Sequence, residues 1–277
     1  MTAAPPLAAV LGWPIGHSRS PRLHGHWLAR YRIEGYYVPI ALPPAAFADG
    51  LRSLPALGFR GVNVTIPHKE AALALAGETT DRAREIGAAN TLTFGADGTI
   101  HADNTDAYGF LANLRQEAPD WRAESGPALV LGAGGASRAI IAALLADGCP
   151  EVRVANRTRA RAEGLREHFG VRVAPVDWAA VEAAAGDAAT VVNTTPVGME
   201  GVEAVPLDLG SVASGALVTD IVYGADPTPF IRAARARGLT AVDGVGMLLH
   251  QGVPGFERWF GRRPEVDAEL RAAVLAP

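Results

Sequence analysis

Residues 127–149 read PALVLGAGGASRAIIAALLADGC, an apolar run, a glycine cluster and an alanine-rich stretch in immediate succession. Ala128–Leu131 reads as a short buried strand, and the stretch after the glycines reads as a helix ended by Gly148. Gly132, Gly134 and Gly135 allow a tight turn and let a ligand approach the backbone closely. Exposed N–H groups and the positive end of the helix dipole then attract a pyrophosphate. Strand, glycine turn and helix in that order predict a dinucleotide site, with Ala133 and Ala136 completing the loop. Ser137 stands where a third glycine is usual and is small enough for helix and strand to pack closely.

The cofactor's ribose is read about 20 residues further on, at the end of the next strand. An acidic residue there selects NAD. This chain instead offers VANRTRAR, with Asn156, Arg157, Thr158, Arg159 and Arg161, while Glu151 lies at the other end of the strand. Arginine forks match a 2′-phosphate and a carboxylate would repel it, so NADP is the expected cofactor. Arg159 also reads simply as a solvated residue at a helix start.

Outward from this unit the chain keeps the same grammar. EVRVANR, VRVAP, ATVVNTTP and ALVTDIVY continue a Rossmann-type domain over 107–240. LAAVLG (7–12), YYVPIA (36–41) and GVNVTI (61–66) predict strands of a separate N-terminal domain. Ser20 and Pro21 predict a helix cap and first turn, with His24, Trp27, Leu28 and Tyr31 on its apolar face. NTLTF and TIHADN flank GADG as an antiparallel hairpin. The expected fold is therefore α/β in two domains. The first, over 1–106, is a substrate domain with a mainly parallel sheet, and helices from 241–277 return to it.

Composition narrows the function classes. Of 277 residues 49% are hydrophobic, and the net charge of −4 gives no field favouring nucleic acid or an acidic membrane. Cys149 is alone, which excludes an intrachain disulfide and suits a reducing compartment. No signal peptide or membrane-length apolar run is visible, so a cytoplasmic protein is expected.

The sequence NVTIPHKEAALALA (63–76) puts Lys69 near the positive end of a helix, where an acidic residue is preferred, with Pro67 in the first turn. Small polar residues concentrate around it in GWPIGHSRSP, GAANTL and DNTDAYG, a set suited to a polyhydroxylated, anionic small molecule. Taken singly, Ser20 can serve as a cap, Asn90 as a turn residue and the DNTD carboxylates as caps. His17 and His68 read as structural. His24-x-His26 and His101-x-Asp103 lack the spacing or company of metal ligands, so no metal is expected.

Together the motifs resemble the shikimate dehydrogenase family over nearly the whole chain. They are GxPIxHSxSP (12–21), NVTIPHK (63–69), GAANT (87–91), DNTD (103–106), GAGGA (132–136), NRT (156–158), NxTPVGM (193–199), DIVY (220–223) and DGxGMLxxQG (243–252). The resemblance implies NADP-linked, reversible interconversion of 3-dehydroshikimate and shikimate in aromatic amino-acid biosynthesis. By the family pattern, Ser18 and Ser20 bind the substrate carboxylate, while Asn63, Thr65, Asn90, Asp106 and Gln251 hold its hydroxyls. Lys69 and Asp106 form the catalytic pair. On the cofactor side the pattern names Gly132, Ala133, Gly134, Gly135, Ala136, Asn156, Arg157, Thr158 and Arg161. Thr194, Val197, Met199, Ile221, Tyr223, Gly244 and Met247 line the remainder, Thr194 replacing the alanine of many members.

The residue types make chemical sense on their own. Hydride delivered to a ketone creates alkoxide character, and a lysine ammonium supplies both proton and positive charge. Asp106 can orient it. Two other readings compete: an NAD-linked quinate/shikimate dehydrogenase, and a non-catalytic sensor of shikimate-type ligands. The expected working form is a monomer or homodimer acting on small molecules, without nucleic-acid or membrane partners.

Overall fold

The computed structural model describes residues 4–197 and 205–276; Met199 lies outside the described residues. These fall into two compact units, 4–106 with 248–276, and the described part of 107–247.

In chain order the first stretch forms β1 (Leu7–Gly12), α1 (Ser20–Arg30), β2 (Tyr36–Ala41), α2 (Phe47–Ser53), β3 (Phe59–Val64) and α3 (Lys69–Leu75). It continues with β4 (Glu78–Thr79), α4 (Asp81–Ile86), β5 (Thr91–Phe94), β6 (Ile100–Asp103) and α5 (Asp106–Glu117). The sheet order is β2-β1-β3-β5-β6-β4, with β1 parallel to β2 and β3, and β5 antiparallel to both β3 and β6. Ala9, Leu11, Val62, Val64, Leu92 and Ala102 pack with Phe47 and Leu51 of α2 in one apolar cluster. Around His24 of α1, an aromatic cluster gathers Trp27, Phe256 and Trp259. The Trp259 indole donates to the Leu92 carbonyl at 3.0 Å, directly over Gly61. A Cβ at Gly61 would come within 2.0 Å of that indole nitrogen, so only glycine lets the indole reach the sheet.

Three local readings change. Ser20 is the first residue of α1, preceded by Arg19, and makes no side-chain cap. The strand expected to reach residue 66 ends at Val64. Pro67 precedes α3, which opens at Lys69 after a cis Ile66–Pro67 peptide. Thr65 and Ile66 therefore belong to a turn, and Lys69 is the first helical residue.

The second stretch forms β7 (Ala128–Leu131), α6 (Gly135–Ala146), β8 (Val152–Ala155), α7 (Arg159–Phe169), β9 (Val173–Val176) and α8 (Val181–Ala185). It continues through β10 (Thr190–Asn193), β11 (Leu217–Asp220), α9 (Pro229–Ala236) and β12 (Thr240–Val242), and the chain ends with α10 (Val245–Phe260) and α11 (Ala268–Leu275). All pairings in this sheet are parallel, in the order β12-β11-β10-β7-β8-β9. This is the doubly wound arrangement, with its topological switch point between β7 and β10. The outermost strands of both sheets are blunted: β2 carries Pro39 and β9 carries Pro175, while β4 has two residues and β12 three.

Candidate active site

The mixed sheet explains why distant polar motifs meet. Because β5 runs antiparallel to β3, its first residue Thr91 pairs with Asn63 near the end of β3 and with Asp103 at the end of β6. The loop before β5, the turn into α3 and the start of α5 thus share one end of the sheet. Lys69, Asn90 and Asp106 sit there.

The Lys69 Nζ donates to Asp106 Oδ2 at 2.6 Å, and the two side chains are only 14% and 8% exposed. Asn90 Nδ2 donates to Asp106 Oδ1 at 2.8 Å and to Gln251 Oε1 at 3.3 Å. The Asn90 oxygen accepts from the Thr105 N–H at 2.7 Å, and from the Thr105 and Thr91 hydroxyls. Asn90 thus has its donors and acceptor engaged before any ligand arrives, and its visible work is to aim Asp106. Gln251 Nε2 donates to the Leu248 carbonyl at 3.1 Å.

Asn63 is buried, its Oδ1 accepting from the Tyr37 hydroxyl and its Nδ2 donating to the Asn90 carbonyl and Thr91 Oγ1. Ser18 and Ser20 follow β1, with the Ser18 hydroxyl accepting from the Ser20 N–H at 3.3 Å. Thr65 lies in the turn before Lys69, its N–H bonded to the Leu11 carbonyl. His68 points away from the lysine. Its Nε2 meets the Leu42 carbonyl at 2.7 Å, which requires the proton on that nitrogen, and its ring stacks on Phe47. His17 is exposed.

Asp103, which opens the DNTD motif, holds the frame around the site. It accepts from Arg82, Arg258 and Thr80, tying β6 to α4 and α10. Burial alone would raise its carboxyl, but the two guanidinium groups and the threonine outweigh it and hold it at about 2.

The glycine turn is built at the switch point of the second unit. Gly132 has φ +108°, and a Cβ there would meet Thr194 Oγ1 at 2.6 Å. The Thr194 hydroxyl donates to the Leu131 carbonyl at 2.7 Å and lies 2.6 Å from Ser137 Oγ, which in turn accepts the Gly134 N–H at 3.0 Å. Thr194 therefore directs its hydroxyl beneath the turn. The N–H groups of Gly135 and Ala136 lie in the first turn of α6, beyond the reach of helical carbonyls and suited to a phosphate.

Beyond β8, Asn156 Nδ2 donates to the Thr158 carbonyl at 2.8 Å. Arg159 is committed to Glu163 and Asp177. Arg157 and Arg161, exposed on either side of Thr158 in the chain, make no ion pair among the described residues. This donor set fits a 2′-phosphate. Val197 accepts from Asn193 at 3.1 Å. Gly244 packs against the Ile221 carbonyl, where a Cβ would come within 2.5 Å, and Met247 is buried while Tyr223 is partly exposed.

Sequence reasoning passed over Tyr37, Thr91 and Thr105, which orient Asn63 and Asn90. Thr91 and Thr105 lie inside GAANT and DNTD, but only the register of β3, β5 and β6 shows what they touch. Tyr37 had no local signal beyond its strand.

Comparison with known proteins gives a consistent result. Residues 10–92 match the shikimate dehydrogenase substrate binding domain, 114–198 the shikimate/quinate 5-dehydrogenase family, and 244–273 the shikimate 5′-dehydrogenase C-terminal domain. The chain is 60% identical to the shikimate dehydrogenase (NADP(+)) of Paracoccus denitrificans over 98% of its own length and 96% of the relative's. Identity to the corresponding protein of Jannaschia sp. is 59%, covering 98% of each. Among solved structures, the shikimate 5-dehydrogenase of Thermus thermophilus in complex with NADP(H) and shikimate is similar with TM-score 0.86 and 40% identity, over 97% of this chain and 98% of that one. The quinate dehydrogenase of Corynebacterium glutamicum in complex with NAD has TM-score 0.89 at 30% identity, over 98% and 99%.

Proposed function

The chain belongs to the shikimate dehydrogenase family, and from that premise we propose that it catalyses the NADP-dependent, reversible reduction of 3-dehydroshikimate to shikimate. The observation that carries this reading is the Lys69–Asp106 pair, 2.6 Å apart, with Asn90 holding the other carboxylate oxygen. An ammonium has three donors, and one goes to Asp106, leaving two for a substrate oxygen. Lys69 stabilises the negative charge developing on the carbonyl oxygen and delivers the proton that completes the alcohol, then regains one from water. Asp106 holds that ammonium in place and accepts from a neighbouring substrate hydroxyl, its other oxygen being fixed by Asn90. Ser18 and Ser20 hold the carboxylate; Asn63, Thr65 and Gln251 meet the remaining hydroxyls.

When bound, the nicotinamide supplies or receives the hydride. The turn at 132–136 receives the pyrophosphate, and Arg157 and Arg161, with Asn156 and Thr158, receive the 2′-phosphate. Thr194, Val197, Met199, Ile221, Tyr223, Gly244 and Met247 complete the nucleotide side. The uncommitted arginines favour NADP over the NAD-linked quinate/shikimate alternative, and a lysine poised to transfer a proton favours an enzyme over a sensor. The enzyme works on small molecules as a monomer or homodimer in the cytoplasm.

The deciding experiment follows nicotinamide absorbance with shikimate and quinate, each against NADP and NAD. The reading requires the highest kcat/KM for shikimate with NADP. Preference for NAD would overturn the ribose argument, and ligand-induced thermal stabilisation without turnover would favour the sensor.

A further inference from the structure

A side-chain amide has two N–H donors and an oxygen with two lone pairs. Both Asn63 donors are taken, by the Asn90 carbonyl and by Thr91 Oγ1, each at 3.1 Å. The oxygen accepts from the Tyr37 hydroxyl at 2.7 Å. One lone pair remains, so Asn63 can only accept from a ligand. The reversed amide would set its oxygen against the Asn90 carbonyl, two acceptors face to face, and would leave the Tyr37 hydroxyl without the carboxamide oxygen as its acceptor.

Tyr37 is itself held without freedom. The residue is 8% exposed, and its ring lies on the His24 ring at a centroid distance of 3.9 Å and an angle of 2°. Trp27, Phe256 and Trp259 wall in the imidazole. Burial pushes the Tyr37 phenol well above its ordinary range, against the pull of a Ser20 hydrogen bond, so the hydroxyl keeps the proton it donates. Burial also lowers His24 to about 3, against a smaller opposing pull from the neighbouring Asn63 carboxamide, so the stacked ring is neutral. Neither ring nitrogen of His24 has a partner at hydrogen-bond geometry among the described residues. The imidazole serves Tyr37 through its flat face.

The geometry points to Tyr37 as a positioning residue that, stacked on His24, locks the Asn63 amide with its oxygen toward the substrate, making this position selective for a ligand hydroxyl that donates. A ligand with a ketone or ether oxygen at that position would present acceptor to acceptor. This rests on the reading that Asn63 faces the substrate.

The test is a double-mutant cycle on shikimate binding and turnover with Tyr37→Phe, Asn63→Ala and the pair. Tyr37→Phe keeps the ring and stack, and should raise the shikimate Kd and KM about tenfold, the value of one oriented hydrogen bond. The kcat and the KM for NADP should stay within twofold. On an Asn63→Ala background the same change should add nothing. His24→Phe keeps the stacking face and the Tyr37–Asn63 bond, so its shikimate KM should stay within twofold of wild type. An unchanged KM in Tyr37→Phe, additive effects in the pair, an equal KM rise in His24→Phe, or failure of Tyr37→Phe to fold would each overturn the assignment. Wild-type protein that neither binds nor oxidises shikimate would instead defeat the proposed function, before any variant is compared.

Discussion

Lys69 occupies the first residue of α3, where the helix dipole works against a positive charge by about 0.3–1 kcal/mol. The 2.6 Å contact with Asp106 opposes that cost and makes the ammonium a held proton source rather than a mobile surface charge. Removing it by Lys69→Ala should lower kcat by about 10²–10⁴-fold, the usual worth of a positioned acid. Circular dichroism and NADP affinity should be nearly unchanged; steady-state kinetics with equilibrium binding checks both. Arg157 and Arg161 act by a different logic, since neither has an ion-pair partner among the described residues. Replacing both by alanine should raise the KM for NADP by about tenfold or more, the scale of a charged hydrogen bond, and leave the weaker NAD reaction almost untouched. Paired saturation curves with the two cofactors read out that contrast.

Among the elements, the strand-turn-helix at β7 and α6 was the most legible, because its glycines, flanking strand and helix obey one local rule. The sequence did not show what stiffens the turn. Thr194 and Ser137 are 57 positions apart, and only the parallel pairing of β7 with β10 brings their hydroxyls to 2.6 Å. Thr194→Ala removes the link between Leu131, Ser137 and the turn. It should raise the KM for NADP about fivefold at unchanged kcat, and Thr194→Ser should restore it, as judged by cofactor titration. The β3–α3 connection was less legible. Pro67 suggested the first helical turn, yet it lies in the turn that delays the helix until Lys69. The GADG turn announced the β5–β6 hairpin, but the convergence of Asn63, Asn90 and Asp106 also depended on the antiparallel pairing of β5 with β3, which no local motif encodes.

At the scale of the whole molecule, the two units carry buried carboxylates with opposite pH responses. Asp103, held at about 2 against an ordinary 3.8, stabilises its unit above pH 4, and that contribution is lost as pH falls toward 2. The difference is worth about 2 kcal/mol. Asp220, at the end of β11, moves the other way. Burial raises it to about 6, outweighing its hydrogen bonds from Val222, Thr228 and Asn193. Its favourable contribution is present below about pH 4 and is lost as pH rises through 6. Urea unfolding followed across this range should show Asp103→Asn flattening the acid side and Asp220→Asn flattening the pH 4–6 side. A variant that leaves its slope unchanged would remove that residue from the account.

The four outer strands have a further consequence for how the protein behaves in a crowded solution. A sheet margin with free N–H and C=O groups is a template on which another chain can crystallise as an added strand. Pro39 and Pro175 each delete a donor from the two longer margins, and the two- and three-residue strands β4 and β12 offer too little length for a stable graft. The same strands that close each sheet therefore act as stoppers against fibril-like growth, keeping two six-stranded sheets from recruiting their neighbours.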